Sequence, residues 1–358
     1  MHDLGDIGAR LSSYLGTPVS GLRVLASGWE TTVFEFTISS RSARFQDIPV
    51  NVGLVLRFHQ GPFADDKGAR EYAAMRLLSA VHYPVAHPYA YEPDHGALGA
   101  PFLVMHRLSG GPLFSTHSFP AALKTFSLAF FDFVRTQVRL HRMRPADFPD
   151  MPHSYRPAGA LSDAPLLERM LSVIEDRIER GPLPGLRGAF DRLNARAPLF
   201  RNAPSSLVHM DYHPLNVMVR GLRVTGVIDW VFADVGDRHL DAATTATILS
   251  SSAFEHPRWM RDNAVGNSLR ALFASLYIPL YHAMAPMDLE RFRYCQAIAA
   301  LQRLSMLGMM RARGAETVGF RPESVQEVTP AVVRLLSRYA SRKSGTAVGL
   351  DVSSAMPA

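Results

Sequence analysis

Cysteine is nearly absent: Cys295 is the one thiol in 358 residues. An intramolecular disulfide is therefore impossible, and a cysteine-cage zinc site is excluded. Lysine is scarce as well. Lys67, Lys124 and Lys343 stand against 35 arginines, so the positive charge of the chain is almost all guanidinium. The first residues, Met1-His2-Asp3-Leu4-Gly5-Asp6, carry acid where a signal peptide carries base, and no apolar run follows. The longest uncharged apolar stretch, 271–287, has 17 residues interrupted by Pro279, His282 and Pro286. That is short of the ~20 a membrane helix needs, and it reads as a buried core helix. These absences predict a cytoplasmic protein with no membrane partner.

The apolar fraction is 47% and the charged fraction 20%, which is a globular composition with material for a large core. The net charge is +6 and the pI about 9.6. A basic chain invites a nucleic-acid reading. Here the arginines are scattered from Arg10 to Arg342 without a long basic run, and no stacking motif is visible. No nucleic-acid partner is expected.

Leu4, Ile7, Leu11 and Leu15 recur at helical spacing. The stretches 22–25, 32–38 and 54–58 are short, rich in β-branched and aromatic residues, and separated by turn signals. A helix over 69–78 and a strand over 101–105 follow, the latter ended by Ser109-Gly110-Gly111-Pro112. Residues 1–105 thus form a small, mainly β lobe. Residues 106–340 read as a larger helical lobe, with helices predicted over 120–143, 165–180, 186–196, 241–251, 267–284, 289–313 and 330–340. One β-rich interruption, 207–230, lies among them. Residues 341–358 are small and polar and read as an unstructured tail. A cleft between two such lobes is the default ligand site.

The chemistry is concentrated in the interruption. His209-Met210-Asp211-Tyr212-His213-Pro214-Leu215-Asn216 leads into a β-hairpin turning at Gly221-Leu222-Arg223, which closes on Ile228-Asp229-Trp230. A hairpin returns the chain to where it left, so Asn216 and Asp229 flank one end of it, and Asp211 is five residues from Asn216. One carboxylate and one amide suit a hard cation such as Mg²⁺, whose shell phosphate oxygens complete. The remaining carboxylate is left to accept a hydroxyl proton. This is the division of labour of phosphoryl transfer.

The run resembles the catalytic loop of the aminoglycoside phosphotransferase and choline kinase-like family, H-x-D-x₄-N followed by I-D-W. The likeness extends to Gly28 in the first strand turn, Glu71 in the helix after the third strand, and Pro101–Met105 as the linker strand. It also takes in Leu140-His141 at the end of a long helix, and Gly236-Asp237 with Asp241 beyond the I-D-W. The resemblance implies an α+β, two-lobed protein-kinase-like fold with an antiparallel β N-lobe. It implies an ATP- or GTP-dependent kinase that phosphorylates a small-molecule hydroxyl with Mg²⁺. Asp211 would be the catalytic base, and Asn216 and Asp229 the metal ligands. Ser27, Gly28, Arg57, Glu71 and Met105 would bind the nucleotide, with Glu71 orienting the phosphate-contacting base of the third strand. Arg57 stands where the family usually has lysine, and the loop 27–31 has one glycine instead of three. These two departures keep open an alternative, a kinase-like protein that binds nucleotide without transferring phosphate.

Other residues have plainer readings. His209 packs to hold the loop or acts in catalysis, and the trio His209, Asp211, His213 mimics a metallohydrolase cluster without its second motif. His141 reads as a satisfied core histidine, Asp237 and Asp241 as caps and braces, Met306, Met309 and Met310 as core, and Cys295 as an inert buried thiol. From Glu255 to Glu316 five acids face eight arginines in the sequence, which is poor provision for a cationic acceptor.

Overall fold

The computed structural model describes residues 4–28, 30–114, 119–155, 164–251 and 264–350. The chain opens with α1 (Leu4–Leu15), whose Ile7, Leu11 and Leu15 form one buried stripe. Three strands follow, β1 (Val19–Ser27), β2 (Thr31–Ile38) and β3 (Leu54–His59). Next come α2 (Ala64–Ala80), β4 (Pro88–Glu92), the single turn α3 (His95–Leu98) and β5 (Phe102–His106). The five strands make one antiparallel sheet in the order β1-β2-β3-β5-β4.

Strand periodicity decides what β3 offers to each side. Leu54, Leu56 and Phe58 join the cluster that packs on Ile7, Leu11 and Leu15. Val55 joins the opposite core with Ala74, Met75 and Leu78 of α2. Arg57 and His59 are in phase with Val55, and are therefore presented to α2.

The second lobe begins with β6 (Gly111–Pro112) and α4 (Phe119–His141), followed by α5 (Leu166–Arg180) and α6 (Pro184–Arg196). Then come β7 (Ser205–Val208), the hairpin β8 (Val217–Arg220) and β9 (Arg223–Val227), and β10 (Asp234–Asp237). Four helices complete the described chain: α7 (Arg238–Ser251), α8 (Ala264–Met284), α9 (Leu289–Arg313) and α10 (Pro330–Ser344). β10 pairs with β7, and β6 pairs with β8. Gly110 has φ 92°, and a Cβ there would stand 2.1 Å from the Val219 carbonyl oxygen. Only glycine lets the interlobe segment lie this close to the hairpin. α9 is buried almost along its whole length, so it forms the centre of the helical lobe.

The two-lobed α+β architecture predicted from the sequence is the one observed. Three local expectations change. The 341–358 segment is not all tail: α10 runs to Ser344, where Gly345 caps it in the left-handed conformation, and Val348 and Leu350 pack on the core. The helix expected to be buried over 271–287 is buried on one face only. Phe273, Tyr277 and Tyr281 point inward, while Leu272 and Leu276 are exposed. β4 and β10 were not expected, being short and carrying Pro88 and Gly236. Among the described residues, no helix is long and apolar enough to cross a membrane.

Candidate active site

The loop between β7 and β8, residues 209–216, is held from beneath. Met210 has φ 63°, a left-handed conformation that a side chain rarely adopts. Its N–H donates to Asp241 Oδ1 of α7 at 2.7 Å. Asp241 Oδ2 accepts from His141 Nε2 at 2.8 Å and from Gln137 Nε2 at 3.1 Å, both on α4. His141 Nδ1 meets the Tyr281 hydroxyl at 2.6 Å. Burial pushes the Asp241 carboxyl up, but His141, His209 and Gln137 outweigh it and hold the group below the usual carboxylate range. Thr245 of α7 donates to the Tyr212 carbonyl at 2.8 Å. His141 and Asp241 are thus the satisfied core histidine and the brace that the sequence suggested.

His209 is committed on both ring nitrogens. Nε2 donates to the Ile228 carbonyl at 3.0 Å and Nδ1 accepts the Asp211 N–H at 3.2 Å. Burial lowers its pKa, and the ring stands edge-on to Trp230. It has no lone pair left for a metal. Among the described residues no group of three or more His, Cys, Asp or Glu is placed to hold one, and the metallohydrolase alternative has no support.

The hairpin closes as expected. Ile228 N–H donates to the Asn216 carbonyl at 2.9 Å, beside the Val217–Val227 pair. Asn216 Nδ2 donates to the Asp211 carbonyl and to Asp211 Oδ2, both at 3.1 Å. That leaves Asn216 Oδ1 as the amide's outward acceptor. Asp229 follows with φ 67°, a left-handed turn that starts the 3₁₀ segment Trp230–Phe232. The structure brings Asp211, Asn216 and Asp229 to the wall of one cavity.

On the opposite lobe, Arg57 Nη2 reaches Asp229 Oδ1 at 3.0 Å and its Nε lies 3.2 Å from Glu71 Oε2. The His59 ring lies 3.3 Å from the same Glu71 oxygen. Burial pushes Glu71 up to about 7 against the pull of Arg57, because several carboxylates share one guanidinium. Asp229, Glu71 and Glu30 keep Arg57 firmly charged against the opposing effect of burial. Four residues before Glu71 on α2, Lys67 is ion-paired with Glu30 and donates to the Gly319 carbonyl at 2.9 Å. Gly28 and Glu30 line the cavity. Ser27 closes β1, and its side chain lies outside the described residues, as does Trp29. Met105 is buried in the core and is not among the residues lining the cavity.

That cavity, about 280 Å³, is also lined by Tyr155, His213, Phe232, Gln302, Arg303, Met306 and Phe320. Sequence reasoning did not single out Arg303 as a partner of Asp211. It comes from α9, is buried, and places Nη1 3.6 Å from Asp211 Oδ1, while His213 Nε2 is 3.5 Å from Oδ2. Burial pushes Asp211 up; His213, Arg303 and His209 prevail and keep it well below the usual carboxylate range. A carboxylate so held is ionised and directed at the cleft. Met306, expected in the core, lines this cavity too. Beyond α9, Arg321 donates to the carbonyl of Gly28 and to that of Thr31, the latter at 2.8 Å. The segment 319–321 therefore clips the first strand turn to the second lobe. Glu255, Arg258, Arg261 and Asp262, weighed as acceptor contacts, lie outside the described residues.

The fold and the opposed lobes define a protein-kinase-like α+β protein with its cleft at the 209–216 loop. The sequence profile of the phosphotransferase enzyme family (APH) matches residues 21–287, and the chain belongs to that family. No functionally curated protein sequence matches it. Among solved structures it is similar to a candidate aminoglycoside phosphotransferase from Ralstonia eutropha JMP134, at 17% identity and TM-score 0.62, over 93% of this chain and 98% of that one. It is similar to the aminoglycoside phosphotransferase APH(4)-Ia, at 16% identity and TM-score 0.62, over 95% and 100%. One APH(4)-Ia structure is a ternary complex with AMP-PNP and hygromycin B. The macrolide 2′-phosphotransferase MphH of Brachybacterium faecium aligns at 17% identity and TM-score 0.53, over 89% and 97%.

Proposed function

We propose that the protein is a nucleoside-triphosphate-dependent phosphotransferase that moves the γ-phosphate of ATP or GTP to a hydroxyl group of a small molecule. The observation that carries this reading is the convergence of Asp211, Asn216 and Asp229 at one cavity, with Arg57 reaching across from the other lobe to Asp229. Asp211 would orient the attacking hydroxyl and accept its proton; the Asn216 amide holds one of its oxygens in place. Arg57, fixed by Glu71, would contact the triphosphate with a planar fork. Gly28 and Glu30 would border the nucleotide, with Ser27 beside them and Met105 on the linker strand behind.

The donor set fits Mg²⁺. Asn216 Oδ1 and the Asp229 oxygen not bonded to Arg57 are hard oxygen donors, and two protein ligands leave room for phosphate and water. When bound, the ion would neutralise charge on the transferring phosphoryl group. Relatives of this fold act on aminoglycosides and a macrolide. The cavity presents Arg303 and Gln302 beside the carboxylates of Glu30, Asp211 and Asp229, so its lining favours no single acceptor charge.

The test is nucleotide-dependent turnover against a panel of hydroxyl compounds of all charges, with Asp211→Asn beside the wild type. Turnover should require Mg²⁺ and fall roughly 10²- to 10⁴-fold in the variant, the usual worth of a positioned base. A second reading has one observation in its favour: Arg57 replaces lysine and already occupies one oxygen of Asp229. Mg²⁺-dependent nucleotide binding with no acceptor-stimulated turnover would favour that reading, a binding protein without transfer.

A further inference from the structure

Tyr155 and Phe232 stack with ring centroids 5.7 Å apart, and they line two cavities at once. One is the catalytic cavity. The other, about 490 Å³, is lined by four cationic side chains, Lys67, Arg70, Arg177 and Arg180, against two acidic ones, Asp66 and Asp176. Three of the cations have carboxylate partners. Lys67 pairs with Glu30, outside this cavity's lining, Arg70 with Asp66 at 3.0 Å, and Arg180 with Asp176 at 3.0 Å.

Arg177 is different. It projects from the last turn of α5, and its Nη1 is buried with no hydrogen-bond partner among the described residues. Burial lowers its pKa to about 10, and the neighbouring Tyr155 phenol and Asp176 offset this only in part. A buried guanidinium N–H without an acceptor is costly, and natural structures leave few of them. An oxyanion is the ligand that relieves it, because carboxylate and phosphate oxygens match the fork of the guanidinium. Ser172 adds a hydroxyl to the same wall.

We propose that the cavity behind the Tyr155–Phe232 wall is an oxyanion-binding site in which Arg177 grips a carboxylate or phosphate group. Such a group has two sources, a free anion or the acidic end of an acceptor whose hydroxyl reaches the catalytic cavity. The site stands whichever source supplies it, and whether or not phosphate transfer is confirmed.

The experiment titrates inorganic phosphate, D-gluconate and the uncharged control D-glucitol into wild type, Arg177→Lys and Arg177→Gln by calorimetry, with ligand-free melting curves to show that each variant folds. Saturable binding of phosphate or gluconate but not glucitol, weakened at least tenfold in Arg177→Gln and less in Arg177→Lys, supports the site. Absence of anion binding to the wild type, or equal binding by folded Arg177→Gln, overturns it. A second arm measures Mg-ATP turnover. If gluconate raises turnover and phosphate competes with it, the acceptor supplies the anion. If phosphate binds and neither compound changes turnover, the anion is a separate ligand. A protein that binds phosphate through Arg177 yet never turns over nucleotide would refute the transferase reading and leave the anion site intact.

Discussion

Arg57 of β3 and Asp229 beyond β9, 172 positions apart in the chain, meet at 3.0 Å across the cleft. Glu71 holds the other side of the same guanidinium. The lobes are therefore registered on each other by one side chain, the same one to which the proposed function assigns the triphosphate.

Replacing Arg57 should separate these two duties. Arg57→Ala leaves Glu71 buried without its cation, and breaking a buried pair in this way costs about 3–5 kcal/mol. Urea unfolding should show that loss. Arg57→Lys keeps the charge but not the fork, so it should fold and raise the KM for ATP roughly tenfold through the loss of one charge-assisted hydrogen bond. An unchanged KM would remove Arg57 from the nucleotide site.

Arg303 lowers the pKa of Asp211. In Arg303→Met that support is gone, and the carboxyl rises because burial is no longer opposed as strongly. Activity requiring ionised Asp211 should then be lost at a higher pH than in wild type as the medium is acidified. The pH dependence of kcat/KM reads this directly, and identical acid limbs would contradict it.

Asp241 is held below its ordinary pKa in the fold, so the unfolded chain binds its proton more readily. Its contribution is full above the unfolded value of about 3.9 and fades as pH falls towards the folded one. Wild-type stability attributable to this group should be flat from pH 5 to 8 and decline below pH 4. Asp241→Asn should cost roughly 3–5 kcal/mol at pH 7, as a buried, hydrogen-bonded charge network is broken, and should flatten the acid decline. Thermal unfolding across pH checks both.

Arg321 and Lys67 hold the 319–321 clip to the first strand turn and to α2. Each such hydrogen bond contributes about 1 kcal/mol. Arg321→Ala, which removes two, should raise local opening of the 28–31 turn roughly 5- to 30-fold. Hydrogen exchange of the amides there is the measurement, and unchanged protection would show the clip to be passive.

The parts of this protein that can be read from sequence are those where neighbours in space are neighbours in the chain, or are joined by a tight turn. Asp211, Asn216 and Asp229 were legible because a hairpin must close on itself. The ion pair of Arg57 and Glu71 was legible only through the family resemblance, although the phase of β3 supplies its physical reason. Arg303 was not legible. It lies mid-helix in a mainly apolar run that is broken by Gln302 and Ser305, and only the packing of α9 under the loop turns it to Asp211. Lys67 was not singled out either: it follows Asp65 and Asp66 in the chain, and its burial depends on Glu30 and on a carbonyl 252 positions away. β4 and β10 were obscured by brevity, and the end of α10 by small residues that pack only once α9 is in place.

The placement of α9 divides the cleft between two stretches of chain. The family-matched region ends at residue 287, before α9 begins at Leu289. Asp211, Asn216 and Asp229 lie inside that region, whereas Arg303, Phe320 and Arg321 lie beyond it. Yet Arg303 and Phe320 line the same cavity as the three oxygen-bearing residues, and Arg321 clips the strand turn above it. The cavity is thus built jointly by the matched region and by the segment that follows it.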